Sequence, residues 1–372
     1  ASDDLNRVTN VETITLGNAD TTVTSVDALV ASGATLTVDG SGLSGTKKLT
    51  WDGSAETNGR FNITGGAGAD TITGGSGADT ITGGAGADAI SSGNNNDVLQ
   101  YSSGSELSID TQVDGGSGTD TLLFTIAGVT DVDDADFVKV TNIEAIVFGN
   151  GNNVATFGTN AVSALTPGTG GVAISFGSGN DYLSLLSFTR ASQVQLNDGN
   201  DTIIGGAGAD SIMSGSGNDS ISGGADNDTL VFGAELTSSD TVDGGSGTGD
   251  ILTFTDGNSA SDDLNRVTNV ETITLGNADT TVTSVDALVA SGATLTVDGS
   301  GLTSGQTLTW TGSAETNGSF NITGGAGADT IIVVLAVTVF QVQVALIVLR
   351  LDLVMTAYLA ARIMIRWYLA II

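Results

Sequence analysis

From Gly65 to Gln100 the chain reads GGAGADTIT, GGSGADTIT, GGAGADAIS and SGNNNDVLQ, nine-residue blocks in a single register. Asp70, Asp79, Asp88 and Asp97 hold the sixth place of each block, and Ile72, Ile81, Ile90 and Leu99 the eighth. Glycine at the first, second and fourth places admits backbone angles that a Cβ forbids, so each block opens with a tight turn. The residues after the turn, such as Thr71-Ile72-Thr73, suffice only for a very short strand, whose side chains alternate between faces. One apolar residue per block cannot make a core by itself. Coils have to stack, so that Ile72, Ile90 and their equivalents align as one apolar rank.

Stacking has an electrostatic consequence. Identical turns come to lie about one strand spacing, roughly 4.8 Å, apart. Carboxylates that close repel unless a cation lies between them. The same register returns from Leu196 as LNDGNDTII, GGAGADSIM, SGSGNDSIS and GGADNDTLV, which carries Asp201, Asp210, Asp219 and Asp228. FGSGNDYLS around Asp181 is an isolated copy, and a third run opens at Gly324 with GGAGADTI, around Asp329, and stops. Oxygen-only ligands on a flexible, carbonyl-rich turn suit Ca2+ better than Mg2+ or Zn2+. The alternative, in which each Asp serves only the hydrogen bonds of its own turn, stays open at this point.

At these residues the sequence resembles the RTX family of hemolysin-type calcium-binding repeats, whose consensus is GGxGxDxUx. The resemblance implies an all-β fold, a right-handed parallel β-solenoid in which two nonapeptides make one coil of a β-roll. It also implies Ca2+ between turns two repeats apart. On that pattern Asp70 would pair with Asp88, Asp79 with Asp97, Asp201 with Asp219, and Asp210 with Asp228. Carbonyls near Gly65, Gly74, Gly206 and Gly215 would complete the shells, and Asp181 and Asp329 are further candidate ligands. SGNNNDVLQ departs from the pattern, with Asn in place of Gly, and reads as a capping turn with a weaker site.

Composition agrees with a cation-dependent chain. Acidic side chains number 42 against 10 basic, a net charge of −32 over 372 residues. Such a surface repels nucleic acid and anionic lipid and attracts cations. With no Cys and no His, disulfides, thiol nucleophiles and histidine bases are excluded and zinc sites become improbable, so a carboxylate-held cation is the available staple. Neither HExxH nor GxSxG occurs, and no catalytic residue is assigned. The opening ASDDLNRV has no basic or apolar leader and is expected to be internal to a longer protein.

A larger repeat encloses the small one. Residues 1–43 and 260–302 are identical, VTNVETITLGN at Val8 returns as VTNIEAIVFGN at Val140, and VDGGSGT occurs at Val113 and Val242. The expected organisation is unit 1 over residues 1–112, unit 2 over 113–241 and a truncated unit 3 over 242–332. Within unit 1, residues 1–62 read as β-helix and 63–100 as β-roll; in unit 2 the roll spans 176–232. The stretches between runs, such as ETITLGN and ATLTVDGS, alternate apolar and polar residues and read as short strands that continue the solenoid with wider coils. Trp51 and Trp310 read as strand packing, and Glu12, Glu144 and Glu271, recurring one per unit, as structural. TSVDALVASG from Thr24 reads as a helical turn or a longer strand.

Residues 333–372 do not belong to this pattern. They contain no Gly, after 54 in the residues before them. An in-frame Gly-Gly-Ser-Gly after Ile332 becomes Val-Val-Leu-Ala on loss of one base, and Val-Val-Leu-Ala is the sequence of residues 333–336. Shifting the rest back permits repeat-like sequence ending in GADNDTLVF, with Asp forced at the Met355 and Met364 codons. The tail reads as a frameshifted, non-native end of a repeat run, and no genuine transmembrane segment is expected.

The function expected is that of a secreted, extracellular or cell-surface calcium-binding protein, structural or adhesive, of the S-layer or large RTX adhesin kind. Its roll would fold on binding Ca2+. Partners would be calcium, further copies of itself in a surface lattice, or a cell-surface glycan. The alternative is the calcium-binding C-terminal part of a secreted protease or lipase. The resemblance also implies type I secretion.

Overall fold

The computed structural model describes residue 5 and residues 7–168, 170–233, 236–255, 263–334, 339–341 and 348–352, with side chains through Val333. It divides into two compact units, residues 1–193 and 194–372.

In the first unit the chain visits two walls alternately. One wall stacks Thr13–Thr15, Thr35–Asp39, Arg60–Gly66, Thr80–Gly84, Val98–Tyr101, Thr121–Phe124, Ala145–Phe148 and Val172–Ser175. The other stacks Thr21–Thr24, Leu49–Asp52, Thr71–Gly75, Ala89–Gly93, Gln112–Asp114 and Val140–Thr141. Pairing within each wall is parallel. The expected parallel β-solenoid is therefore present. Parallel sheets are usually covered on both faces. Here only the inner face is covered, so the strands keep the alternation of a one-sided sheet: Thr71 is exposed, Ile72 buried and Thr73 half-buried.

Register turns the eighth-place residues into continuous ranks. Val38, Ile63, Ile81, Leu99, Leu122, Ile146 and Ile174 succeed one another along one wall, all essentially inaccessible. Trp51, Ile72, Ile90, Val113 and Val140 face them from the other. Each such side chain contributes roughly 1.5–3 kcal/mol by leaving water. Trp51 packs edge-on against Phe61, with ring centroids 5.3 Å apart, and Trp310 does the same with Phe320 at 5.6 Å. Both indoles are buried, as strand packing requires.

Coil length is set by the sequence. Equivalent positions in successive coils lie 18 residues apart in the nonapeptide run, but 23, 24 and 28 residues apart beyond it. The added residues form helical turns at Gly104–Ile109, Asp134–Lys139 and Thr159–Ala164. Aspartates tie these turns to neighbouring coils. Asp131 accepts N–H bonds from Gly104 and Ser105, and Asp134 from Gly158, Asn160 and Ala161. SGNNNDVLQ is not a cap. Asn95 takes positive φ (70°), which Asn tolerates better than most residues, and Val98–Tyr101 pairs with the next coil at Thr121–Phe124.

The second unit repeats the plan. Ile212, Leu230, Leu252, Ile273, Val297 and Ile322 form one rank, and Ile203, Ile221, Val242 and Val267 another. A third wall segment stacks Val282, Trp310 and Ile331. The second copy of TSVDALVASG forms a short 3-10 turn at Asp286–Leu288. In the tail, Val339–Gln341 and Val348–Asp352 pair with Asn321–Thr323 and Thr330–Val334. Residues 353–372 lie outside the described residues. Among the described residues no helix is long and apolar enough to cross a membrane.

Candidate metal centre

Each sixth-place aspartate stands where turn meets strand, and there it is buried. Asp70, Asp79, Asp88 and Asp97 are at most 1% exposed, and Asp201, Asp210, Asp219 and Asp228 at most 3%. Their inner oxygens make one recurring bond. Asp88 Oδ1 accepts the backbone N–H of Asp70 at 2.7 Å, and Asp97 Oδ1 that of Asp79 at 2.7 Å. Asp219 and Asp228 accept from Asp201 and Asp210 at 2.9 and 2.8 Å. All four expected pairs are thus neighbours one coil apart, in carboxylate ladders that run along the solenoid.

The outer oxygens differ along the ladder. Gly66 N–H donates to Asp70 Oδ2 at 2.6 Å, and Gly75 N–H to Asp79 Oδ2 at 2.8 Å. The bond from Gly206 to Asp210 Oδ2 is long, 3.4 Å. The outer oxygens of Asp88, Asp97 and Asp228 are buried and meet no protein donor. Leaving a buried carboxylate oxygen unpaired costs several kcal/mol unless a proton or cation joins it.

The first glycine of the block closes a tight niche against the outer carboxylate oxygen, one that a Cβ would overfill. A Cβ on Gly65 would stand 2.2 Å from the Gly83 carbonyl oxygen and 2.4 Å from Asp70 Oδ2. On Gly74 it would meet the Ser92 carbonyl at 2.0 Å and Asp79 Oδ2 at 2.5 Å, and on Gly223 the Gly244 carbonyl at 2.3 Å and Asp228 Oδ2 at 2.4 Å. Each niche is lined by one outer carboxylate oxygen and one carbonyl from the following coil. Gly206 and Gly215 occupy the second place of their blocks. Gly206 gives its N–H to Asp210, and Gly215, at φ +88°, packs against the Asn197 backbone.

Burial shifts these acids upward. Asp88, Asp97 and Asp228 are pushed from 3.8 to about 7 and Asp79 and Asp219 to about 6, with Asp70 raised as well. Desolvation is the main cause, and neighbouring rungs add to it: Asp110 and Asp70 act on Asp88, and Asp210 and Asp250 on Asp228. Orphaned carboxylate oxygens at Asp88, Asp97 and Asp228, carbonyls close to the outer oxygens of Asp70, Asp79 and Asp228, and crowded like charges fit a hard divalent cation. Among the described residues no three His, Cys, Asp or Glu side chains converge on one point. A site here would join one or two carboxylates to backbone carbonyls, unlike a zinc centre.

Asp329 Oδ1 accepts the Leu308 N–H at 2.9 Å, and its Oδ2 lies 2.3 Å from where a Gly324 Cβ would be, with no carbonyl of a following coil among the nearest atoms. Asp181 faces Asn153 in the preceding coil, whose N–H and side-chain amide both donate to Asp181 Oδ1, at 2.7 and 2.8 Å.

The ladders run beyond the nonapeptides. Asp110 comes after Asp88, and Asp120 and then Glu144 come after Asp97. Asp240 comes after Asp219, and Asp250 and then Glu271 come after Asp228. The sequence does carry a signal for two of these. VDGGSGTD ending at Asp120 contains GGSGTD, and the copy ending at Asp250 holds one residue more, GGSGTGD. The nine-residue count is broken at both, so spacing alone passes over them.

Residues 64–99, 196–230 and 321–332 match the family model of the RTX calcium-binding nonapeptide repeat, in four copies. No curated protein matches the chain. The match is to these segments, about a fifth of the chain, and calcium is the ligand that the repeat family's description names.

Proposed function

We propose that this is an extracellular structural or adhesive protein, of the S-layer or RTX adhesin kind, whose coils fold and stiffen on binding Ca2+. The observation that carries the reading is the ladder of buried aspartates, in which the outer oxygens of Asp88, Asp97 and Asp228 are reached by no protein donor, set within a large tandem unit. Asp70 with Asp88, Asp79 with Asp97, Asp201 with Asp219, and Asp210 with Asp228 supply the carboxylates. Carbonyls beside Gly65, Gly74 and their equivalents supply neutral oxygens. When bound, Ca2+ contributes the positive charge that lets these acids be ionised and buried together.

Without the ion, a chain of net charge −32 holds its carboxylates apart at neutral pH. Extracellular modules bind Ca2+ at roughly 10⁻⁴–10⁻³ M. The chain would then stay unfolded inside a cell, where it can be exported, and fold in millimolar calcium outside. Tandem copies of one rod-like unit extend length and multiply weak contacts, which suits a lattice of further copies or a surface glycan.

The test is a calcium titration of the full chain monitored by far-UV circular dichroism, with magnesium as control. A cooperative gain of β signal specific to calcium is expected. A spectrum already β-rich in chelator and indifferent to calcium would assign the aspartates to their turns alone. Negative-stain microscopy of the calcium form tests the structural role: ordered sheets or cell-bound rods are expected, and dispersed monomers that bind no cell surface would remove it.

A further inference from the structure

One pattern occurs three times in the chain: VTNVETIT from Val8, VTNIEAIV from Val140 and VTNVETIT again from Val267. Two of the three lie against a preceding coil, and that coil is of one kind. VDGGSGTDTLLF, from Val113 to Phe124, stacks on the second copy, with Val113 paired to Val140 and Leu122 to Ile146. VDGGSGTGDILTF, from Val242 to Phe254, stacks on the third, with Val242 paired to Val267 and Leu252 to Ile273. The polar contacts repeat as well. The Asp120 carbonyl accepts the N–H groups of Glu144 and Ala145, and the Asp250 carbonyl those of Glu271 and Thr272, all at 3.0 Å. Each aspartate returns its own N–H to the glutamate carboxylate, at 2.7 and 2.8 Å. The side-chain amides of Asn142 and Asn269 donate to Asp114 and Asp243, at 2.8 and 2.7 Å.

The first copy is shaped in the same way, and among the described residues no coil stacks on it. Asn10 holds positive φ, 55°, as Asn142 and Asn269 do at 55° and 52°. Thr13–Thr15 pairs with Thr35–Asp39 and is the edge strand of its sheet. Identical side chains differ in burial accordingly. Val267, Ile273 and Leu275 are at most 4% exposed, whereas Val8, Ile14 and Leu16 are only half-buried. No Lys or Pro, which commonly blunt a sheet edge, stands between Val8 and Leu16. A capping coil would need a polar outer face; this one repeats an interior coil residue for residue.

We infer that Val8, Asn10, Glu12, Ile14 and Leu16 form a docking face for a separate β-roll, which stacks its own closing coil on them in parallel. The two covered copies define that partner. Its coil carries Val-Asp-Gly-Gly and then Asp-x-Leu-x-Phe. The Val pairs with Val8 and the Leu with Ile14, the second Asp exchanges backbone bonds with Glu12 and Thr13, and the first Asp accepts the Asn10 amide. Copies of this chain cannot supply it, since each brings three such faces and two such coils, and both coils are taken. The partner is another chain whose nonapeptide run ends in this coil. The contact rests on the structural role proposed above and gives it a direction, because a head-to-tail contact that does not close extends a rod.

The chain has no Cys, so one introduced thiol reports on the face. Full-length Ile14→Cys and Ile273→Cys are compared in calcium by the rate of thiol alkylation, with far-UV circular dichroism to follow folding. The thiol at 14 is expected to react about tenfold faster than the thiol at 273, as a less buried one does. A synthetic peptide of residues 240–255 should slow the reaction at 14 saturably and leave that at 273 unchanged; the same peptide with Leu252→Asp should have no effect. A peptide with Leu252→Cys should form a disulfide with the thiol at 14, and one with Thr253→Cys should not, because a shift of one residue turns the side chain to the other face. Should either variant fail to fold, Leu16→Cys and Leu275→Cys read the same two faces. If calcium folds the chain and millimolar peptide leaves the rate at 14 unchanged, the docking face falls and the calcium reading stands. If calcium changes no β signal and the peptide still protects, the calcium reading falls and the docking face stands.

Discussion

Asp88→Asn separates a metal ligand from a turn residue by the sign of its effect. Asp88 is fully buried, its Oδ1 accepts the Asp70 N–H at 2.7 Å, and its Oδ2 meets no donor. Asn keeps the shape and the acceptor and removes the charge. In chelator the ionised form is a burden. A shift from 3.8 to about 7, at about 1.4 kcal/mol per unit, sets a ceiling of about 4 kcal/mol at pH 8. Water around the turns screens part of that, which leaves about 2 kcal/mol. The variant should therefore be about 2 kcal/mol more stable than the parent without metal. In 10 mM calcium the parent gains about 1.4–2.7 kcal/mol per site at dissociation constants of 10⁻³–10⁻⁴ M, and the variant loses that increment at the affected site. The assay is urea unfolding at pH 8 in chelator and in calcium, read by fluorescence of the buried Trp51 and Trp310. If the parent is already unfolded in chelator at pH 8, the readout becomes the pH at which metal-free β structure disappears, which the variant should raise. A variant destabilised in chelator, or one with an undiminished calcium increment, refutes the reasoning.

The same acids predict the pH dependence. Asp79, Asp88, Asp97, Asp219 and Asp228 have folded values raised above 3.8, so the folded chain binds more protons than the unfolded one. Their contribution is full below about pH 3.8 and is lost as pH rises through about 6–7; the metal-free Tm should be higher at pH 5 than at pH 8, and an equal or lower value would contradict the burial. Gly74→Ala drives a Cβ to 2.0 Å from the Ser92 carbonyl and into the niche, and should cost about 1–3 kcal/mol together with calcium affinity. Gly305→Ala meets nothing within 4 Å and should be neutral, as paired melts in calcium would show. Ile81→Ala removes a wholly buried rung of the apolar rank and should lower stability by about 2–5 kcal/mol with or without calcium. DNA across the Ile332 codon should lack one base relative to the equivalent repeats, and an unbroken frame would show the tail to be encoded as such.

The architecture is legible in the sequence wherever one residue type recurs at fixed spacing. Ile72 and Ile90, or Asp70 and Asp88, sit eighteen residues apart and become neighbours because two blocks fill one coil. The wide coils hide the same logic. Asp97 and Asp120 are as closely related as Asp79 and Asp97, but the helical turn Gly104–Ile109 lies between them and destroys the count. Nor does spacing reveal that Tyr101 closes one ladder, because the bond from its hydroxyl to Asp110 depends on how the wide coil folds back. Glu144 and Glu271 show the intermediate case: their recurrence marks them as structural, and only the register shows that they stand on the rung after Asp120 and Asp250.

One residue type has two fates in this chain, and the difference explains where calcium acts. Asp39 is half-buried and takes the hydroxyl and N–H of Ser41, which hold its carboxyl below the usual range. Asp27 reaches across one coil to the N–H of Thr57, and Asp134 caps the Thr159–Ala164 turn. These aspartates are supplied with backbone and hydroxyl donors from the wide coils that they stitch together. The sixth-place aspartates stand buried at the inner edge of a turn made largely of glycine, and at Asp88 and Asp228 the outer oxygen meets no protein donor. Asp88, Asp97 and Asp228 are left with two ways to settle that oxygen, a proton near pH 7 or a cation. Alternating the two kinds of coil places the demand for calcium in short, dense runs between stretches that hold themselves. On the proposed reading the ion would act on the runs as a switch, while the intervening wide coils would keep the register in which the next run can stack.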